Sequence, residues 1–342
     1  MIKLEKIDKI EEYKPLLGNY MRLDANESPF DSCMTSTEIE MAVSDVLLNR
    51  YPDPTAEELC DTYADMMKLS VQNVVAGNGS DELISIITNS FFKKNSKITI
   101  CLPDFSMYKF YAELAELNVD VFVKQDLILD MTKLEQHMRA SGSEAVIFSN
   151  PCNPTGQGVS SKEILDFADR TGWLVIVDEA YMDFWDDSLV YEAVKRENVL
   201  VLKTLSKLYG MAALRIGFAI GNEYFVSSIK KAKSPFNVNS LSMSLAAYLI
   251  SNCQDIVRER RMYVLKYREE QYKKLKATFE PKGATVYKTV TNFNLIKYEK
   301  AAEVFDALLK KGIAIRKLGN LLRITVGTVE ENETLISELT KI

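Results

Sequence analysis

Between residues 56 and 220 the chain alternates between two hydrophobic periods, and that alternation restricts the fold more than any other feature of it. Short apolar runs at 74–76, 97–102, 119–123, 144–149, 174–177, 199–203 and 218–220 read as strands. Segments at 56–68, 80–92, 109–117, 132–139 and 161–171 carry helical spacing. Runs such as Leu174-Val175-Ile176-Val177 are apolar at every position, so both faces of such a strand must be covered. A helix between two strands returns the chain to the same end of the sheet, which makes neighbouring strands parallel. The pattern predicts an α/β fold whose large domain is a mostly parallel seven-stranded sheet sandwiched by helices.

After Pro235 the texture changes. Residues 241–277 are helical and rich in Arg, Lys, Glu and Tyr. Strand-like segments follow at 285–287, 292–296, 313–316 and 321–326, with helices at 301–311 and 330–340. This predicts a smaller α+β C-terminal domain at 241–342 behind a large domain at 31–240. Residues 1–30 have little periodicity and read as an N-terminal arm.

The bulk properties exclude several classes. With 42 basic and 48 acidic side chains the net charge is −6, which argues against general binding to a nucleic-acid backbone. A single histidine and five scattered cysteines, none in a C-x-x-C pair, make a Cys/His metal site improbable and fit a reducing compartment. The charged start MIKLEKIDKIEEYKP has no apolar core of a secretory signal. No run approaches the roughly 18 apolar residues of a membrane span. A cytoplasmic protein acting on small molecules, with no membrane and no metal, is expected.

Four segments carry chemistry. Gly77-Asn78-Gly79-Ser80-Asp81-Glu82 follows a strand and opens a helix, where free amides attract a phosphate; an ordinary capped turn would look the same. Asn150-Pro151-Cys152-Asn153-Pro154-Thr155-Gly156 makes a stiff loop at a strand's carboxyl end, where Asn153 could donate to a ring oxygen. Asp178 ends a buried strand, where an unpaired carboxylate is costly unless a cation or a helix cap satisfies it; Tyr181 stands three residues on. Lys207 lies 29 residues after Asp178 and eight before Arg215, beside Thr204 and Ser206.

An amine, an upstream acid and a downstream arginine suit pyridoxal phosphate. That cofactor needs an amine for its aldehyde, a carboxylate to keep its ring nitrogen protonated and a cation for its phosphate. Lys207 would also shuttle a proton at the substrate Cα, which requires a neutral amine.

The chain resembles the fold-type-I pyridoxal-phosphate aminotransferases and, among them, the histidinol-phosphate aminotransferase family. The segments carrying the resemblance are LDANESPF (23–30), NRYPDP (49–54), GNGSDE (77–82), PDFSMY (103–108), NPCNPTG (150–156), VDEAY (177–181), TLSKLYGMAALRIGF (204–218) and GNLLRITVGT (319–328). The resemblance implies Lys207 at the cofactor aldehyde, Asp178 at its ring nitrogen, and Asn153 and Tyr181 at its ring hydroxyl. It implies Ser206, Arg215 and the amides around Gly79, Ser80 and Asp81 at the phosphate, with Phe105 stacked on the ring; the Thr204 hydroxyl beside Ser206 would add to the phosphate contacts. Tyr51 should reach the partner subunit's cofactor phosphate, so a homodimer is expected. Arg323 should bind the substrate's anionic group, with Asn26 on the substrate side; Tyr20 and Arg22 of the arm could add phosphate contacts or be an ordinary surface Tyr and Arg.

Three positions depart from the family pattern. Phe105 stands where tyrosine is common, Cys152 replaces an asparagine, and Ala213 stands where glycine is frequent. The implied reaction passes an amino group from glutamate to imidazole-acetol phosphate. A guanidinium matches either a carboxylate or a phosphate ester, a physical reason for Arg323. A threonine-phosphate decarboxylase, a broader aromatic aminotransferase and a cofactor-sensing regulator remain alternatives. His137, near a helix end, is expected to be a surface residue.

Overall fold

The computed structural model describes residues 16–342; the first 15 residues of the expected arm lie outside the described residues. Twelve strands run in chain order: β1 (Met21–Leu23), β2 (Val74–Asn78), β3 (Lys97–Leu102), β4 (Asn118–Val123), β5 (Ala145–Ser149), β6 (Leu174–Asp178), β7 (Val199–Thr204), β8 (Ile216–Ile220), β9 (Thr285–Tyr287), β10 (Phe293–Lys297), β11 (Ile313–Leu318) and β12 (Leu321–Thr325). They form two sheets among the described residues.

The larger sheet has seven strands in the order β2-β8-β7-β6-β5-β3-β4. All neighbouring pairs are parallel except those made by β8, which runs against both β2 and β7. Only residues 205–215 separate β7 from β8, too few for a crossover helix, so the chain must turn back. Alternate residues of the central strands feed opposite faces. Val146, Phe148, Val175 and Val177 enter one core, while Ile147, Ile176, Leu200 and Leu202 enter the other. Helices cover both faces, and local chemistry sets their ends. Helix Ser161–Thr171 starts with a reciprocal capping box between Ser160 and Glu163 and stops at Gly172, whose φ is 68°.

The smaller sheet has the order β1-β11-β12-β10-β9. Helices Gln254–Phe279, Ala301–Lys310 and Val329–Leu339 cover one face through Leu275, Phe279, Val304, Leu308, Leu335 and Leu339. Two features differ from the periodicity. The arm contributes β1, which lies parallel to β11. The helical stretch beginning near residue 241 is two helices, Ser240–Asn252 and Gln254–Phe279, parted at the buried Cys253 (φ −109°, ψ 14°). No glycine or proline marks that break in the sequence.

A small apolar cluster joins the two sheets. Phe293 of β10 is fully buried, and its ring meets Tyr181 edge-on with centroids 5.5 Å apart. Ala180, Phe184, Leu208, Val257, Val264 and Val326 complete the cluster. Phe293→Ala is therefore expected to cost about 3–5 kcal/mol, read as a lower urea midpoint. An unchanged midpoint would show that the two sheets do not depend on this contact.

Candidate active site

Strands β7, β6, β5 and β3 are neighbours and parallel, so their carboxyl ends open on one edge of the sheet. Ligands bind at this edge in open α/β sheets. The chain places Lys207 after β7, Asp178 at the end of β6, Asn153 after β5 and Phe105 after β3.

Asp178 is buried. Its Oδ2 accepts from the Tyr108 hydroxyl at 2.8 Å and its Oδ1 from the Ala180 amide at 3.0 Å. Burial pushes its carboxyl up to about 6; the two donors pull against that, while Asp81 and Asp104 add to it. Lys207 Nζ donates to the Ala25 carbonyl at 3.2 Å and lies 5.8 Å from the centre of the Tyr181 ring. The Tyr181 hydroxyl in turn accepts from Asn26 Nδ2 at 2.8 Å.

The opposite end of the site is a cradle of close backbone approaches. A Cβ on Gly217 would lie 2.4 Å from the Ser80 amide nitrogen, and one on Gly79 (φ 81°) would lie 2.7 Å from Arg215 Nη2. Helix Gly79–Ser90 therefore begins directly against β8 and Arg215. Arg215 Nη2 reaches Asp81 Oδ2 at 3.3 Å. Burial raises the Asp81 carboxyl, while Arg215 and Lys207 oppose it. Thr204 Oγ1 accepts from the Ser206 amide at 3.1 Å and lies 2.9 Å from Ser206 Oγ.

Arg323 arrives from β12 and ties three segments together. Its Nη2 donates to the Asp24 carbonyl at 2.5 Å, its Nη1 donates to Asn153 Oδ1, and its guanidinium lies 5.4 Å from the centre of the Phe293 ring. Asn26, with φ 54°, is held by Thr325 through its amide and its side chain, both at 3.1 Å. The other arm and surface residues lie apart from these contacts. Tyr51 is 83% exposed and stacked on Phe236, Tyr20 packs against Gly18, and Arg22 pairs with Asp24 at 2.9 Å. His137 is half-buried and pairs with Asp120.

The three unusual positions each find a place. Phe105 meets Tyr108 edge-on at 5.5 Å. Ala213 lies inside a single 3-10 turn, Ala212–Leu214, and the positive φ of that turn falls on Arg215 instead, so alanine is unstrained there. Cys152 packs its sulfur 3.0 Å from Lys124 Nζ, which also donates to Asp104 at 2.8 Å. That buried pair went unnoticed in the sequence, as did Tyr108. Ser149 donates to Asp104 and accepts from the Asn153 amide at 3.0 Å, so the pair steadies the loop that carries Asn153. The signals for Tyr108 were its place at the end of PDFSMY and its spacing of three residues from Phe105.

This donor set fits pyridoxal phosphate. A desolvated carboxylate lacking cationic help from its two donors suits a protonated ring nitrogen, and the cradle at Gly79, Gly217 and Arg215 suits a phosphate. A family model described as aminotransferase class I and II matches residues 18–339. The histidinol-phosphate aminotransferase of Clostridium novyi (strain NT) is 40% identical over 336 residues, spanning 96% of this chain and 92% of that one. A crystal structure of histidinol-phosphate aminotransferase from Sinorhizobium meliloti in complex with pyridoxal-5′-phosphate has a TM-score of 0.87 at 21% identity, covering 99% of this chain and 96% of that one. L-threonine-O-3-phosphate decarboxylase from Porphyromonas gingivalis also shares the fold, with a TM-score of 0.78 at 21% identity, over 93% of this chain and 98% of that one.

Asp178 makes the cofactor-free protein's stability depend on pH with a definite sign. Its folded-state value near 6 exceeds the ordinary 3.8, so the folded chain holds this proton more tightly than the unfolded one. Stability from this group is present at low pH and is lost as pH rises from about 4 through 6. Cofactor-free Asp178→Asn should therefore gain on the wild type over that interval, by on the order of 2–3 kcal/mol in total. Denaturant titrations at several pH values check this; a constant difference between the two proteins would mean that Asp178 titrates normally.

Proposed function

Because the chain belongs to the class I and II aminotransferases, and within them to the histidinol-phosphate aminotransferase family, we propose that it exchanges an amino group between L-histidinol phosphate and 2-oxoglutarate. The products are imidazole-acetol phosphate and L-glutamate, the cofactor is pyridoxal phosphate, and the setting is histidine biosynthesis. The observation that carries the reading is the convergence of Lys207, Asp178, Asn153 and Arg323 on one edge of the sheet, in a chain 40% identical to a relative of that name.

When bound, pyridoxal phosphate supplies an aldehyde that receives the amino group and a ring that draws electrons from the substrate Cα. The chain's residues do the rest. Lys207, whose Nζ rests on the Ala25 carbonyl, would be the amine that holds the cofactor's aldehyde and, where substrate takes that place, the base that moves the proton at Cα. Asp178 keeps a proton on the ring nitrogen, where its charge is repaid in a buried place. Asn153 and Tyr181 hold the ring hydroxyl, and Phe105 covers the ring face. Thr204, Ser206, Arg215 and the amides of Gly79, Ser80 and Asp81 hold the phosphate. Arg323 exchanges its contacts with Asn153 and Asp24 for the substrate's carboxylate or phosphate. Tyr20 and Asn26 close the substrate side.

The same reading includes an arm at 1–30, a large domain at 31–240, a small domain at 241–342 and a homodimer in the cytoplasm. Exposed Leu47, Leu48, Tyr51 and Phe236 support the dimer, since side chains of this kind gathered near one another ask for a cover. A second copy seated there would bring Tyr51 toward its neighbour's phosphate cradle. The five free, buried thiols support a reducing compartment.

Adding L-histidinol phosphate to the loaded protein should convert the cofactor spectrum to that of its aminated form, and 2-oxoglutarate should reverse it. No conversion, with carbon dioxide released from O-phosphothreonine instead, would replace transamination by decarboxylation. Lys207→Ala should abolish the half-reaction. Arg323→Ala should raise KM for glutamate and for the phosphorylated substrate together, each by roughly tenfold to a hundredfold; a rise in only one would mean separate anion sites.

A further inference from the structure

Tyr108 takes no part in the roles assigned above, yet it touches two of the residues that hold them. It is fully buried at the start of helix Met107–Leu114, and its hydroxyl donates to Asp178 Oδ2 at 2.8 Å. Its ring packs edge-on against Phe105, with centroids 5.5 Å apart and planes 81° apart. We propose that Tyr108 is a positioning residue for the transamination, fixing the Asp178 carboxylate in rotation and charge through its O–H and backing the Phe105 ring with its own; this rests on the function proposed above.

The geometry carries the inference. A carboxylate on a strand end turns freely about χ2 unless both oxygens are engaged. Here the Ala180 amide takes Oδ1 and Tyr108 takes Oδ2, from separate elements of the fold. One donor alone would leave the carboxylate able to swing. A buried phenol also demands a partner, so its O–H is committed to Asp178.

Electrostatics agrees with the direction of that bond. Burial lifts the Tyr108 phenol well above its usual range, and Asp178 lifts it further, so Tyr108 remains the donor at every working pH. A donor to the charged form favours ionisation, against the burial that raises Asp178. Two further titratable groups act on Asp178, Asp81 on helix Gly79–Ser90 and Asp104 after β3; both act in the opposite sense to Tyr108. Asp104 is itself paired with Lys124. Tyr108 is thus the one side chain among those neighbours that keeps Asp178 ionised.

The test compares three side chains at position 108: tyrosine, phenylalanine (Tyr108→Phe) and 3-fluorotyrosine, an isosteric and stronger donor. Carbon-13 carboxyl spectra of cofactor-free protein labelled at aspartate, with the Asp178 signal assigned through Asp178→Asn, give its titration midpoint. The midpoint should rise by about one pH unit in Tyr108→Phe and fall in the fluorinated protein. In loaded protein the half-reaction should slow roughly tenfold or more in Tyr108→Phe, with little change in the concentration of L-histidinol phosphate needed for half-maximal rate. One midpoint shared by all three proteins would overturn the proposal and leave Tyr108 a packing residue. Should Tyr108→Phe fail to fold, the fluorinated protein decides alone. The titration uses neither cofactor nor substrate. Wild-type protein inert toward L-histidinol phosphate would therefore count against the proposed substrate, and the midpoints would still decide on Tyr108.

Discussion

Two basic side chains of the site, Lys207 and Arg323, donate to main-chain carbonyls of consecutive residues, Ala25 and Asp24. A carbonyl is a neutral acceptor. It orients the end of either side chain without adding a charge of its own. The same short segment continues to Asn26, whose left-handed backbone turns its side chain onto Tyr181 and its carbonyl onto Asn292. Three successive residues of the arm thus template groups from three distant parts of the chain. If this segment moved, Lys207, Arg323 and Tyr181 would each lose a partner together.

Around this template the charges are buried in closed groups. Lys124 and Asp104 are almost completely shielded from solvent, and the pair is completed by the Pro103 carbonyl, Cys152 and Ser149. Lys203, inside β7, meets Asp183 at 2.7 Å and Glu179 at 3.7 Å, while Ser188 and the Leu189 amide satisfy Glu179. Breaking one partner of such a group leaves an uncompensated charge in a low-dielectric place. These groups flank Asn153 and Asp178 on the loops after β5 and β6, and they stiffen backbone that would otherwise be ordinary connecting chain.

How much of this was legible in the sequence follows from the kind of signal each feature leaves. The central parallel strands of the large sheet announced themselves because buried parallel strands are apolar at every position, as in 174–177, whereas edge strand β4 carries Asn118 and Asp120 among its valines. Lys207, Asp178, Asn153 and Arg215 were visible because polar residues at strand ends interrupt that pattern. Strand β1 left no trace: three residues carry no period, and its partner lies near the other end of the chain. The break at Cys253 was hidden for a similar reason, because tertiary packing rather than a breaker residue causes it. Tyr108 and Lys124 look like any helical tyrosine and any strand-end lysine, and only the folded geometry shows what they touch. Tyr51 was named by resemblance alone; its exposed ring stacks on Phe236.

The pairing of β1 with β11 sets an order of events during synthesis. Met21 to Leu23 emerge early from a ribosome, but Ile313 to Ile315, their partners, emerge only near the end. The large sheet draws its strands from residues 74–220 and can assemble while the remainder is still being made. The small sheet cannot close until almost the whole chain is available, and long-range pairing of this kind is slow. Arg323 follows within the same late segment, so its grip on the Asp24 carbonyl forms only then. A nascent chain can therefore build its cofactor cradle well before it has an anion-binding arginine, and completion of the substrate side is coupled to completion of the polypeptide.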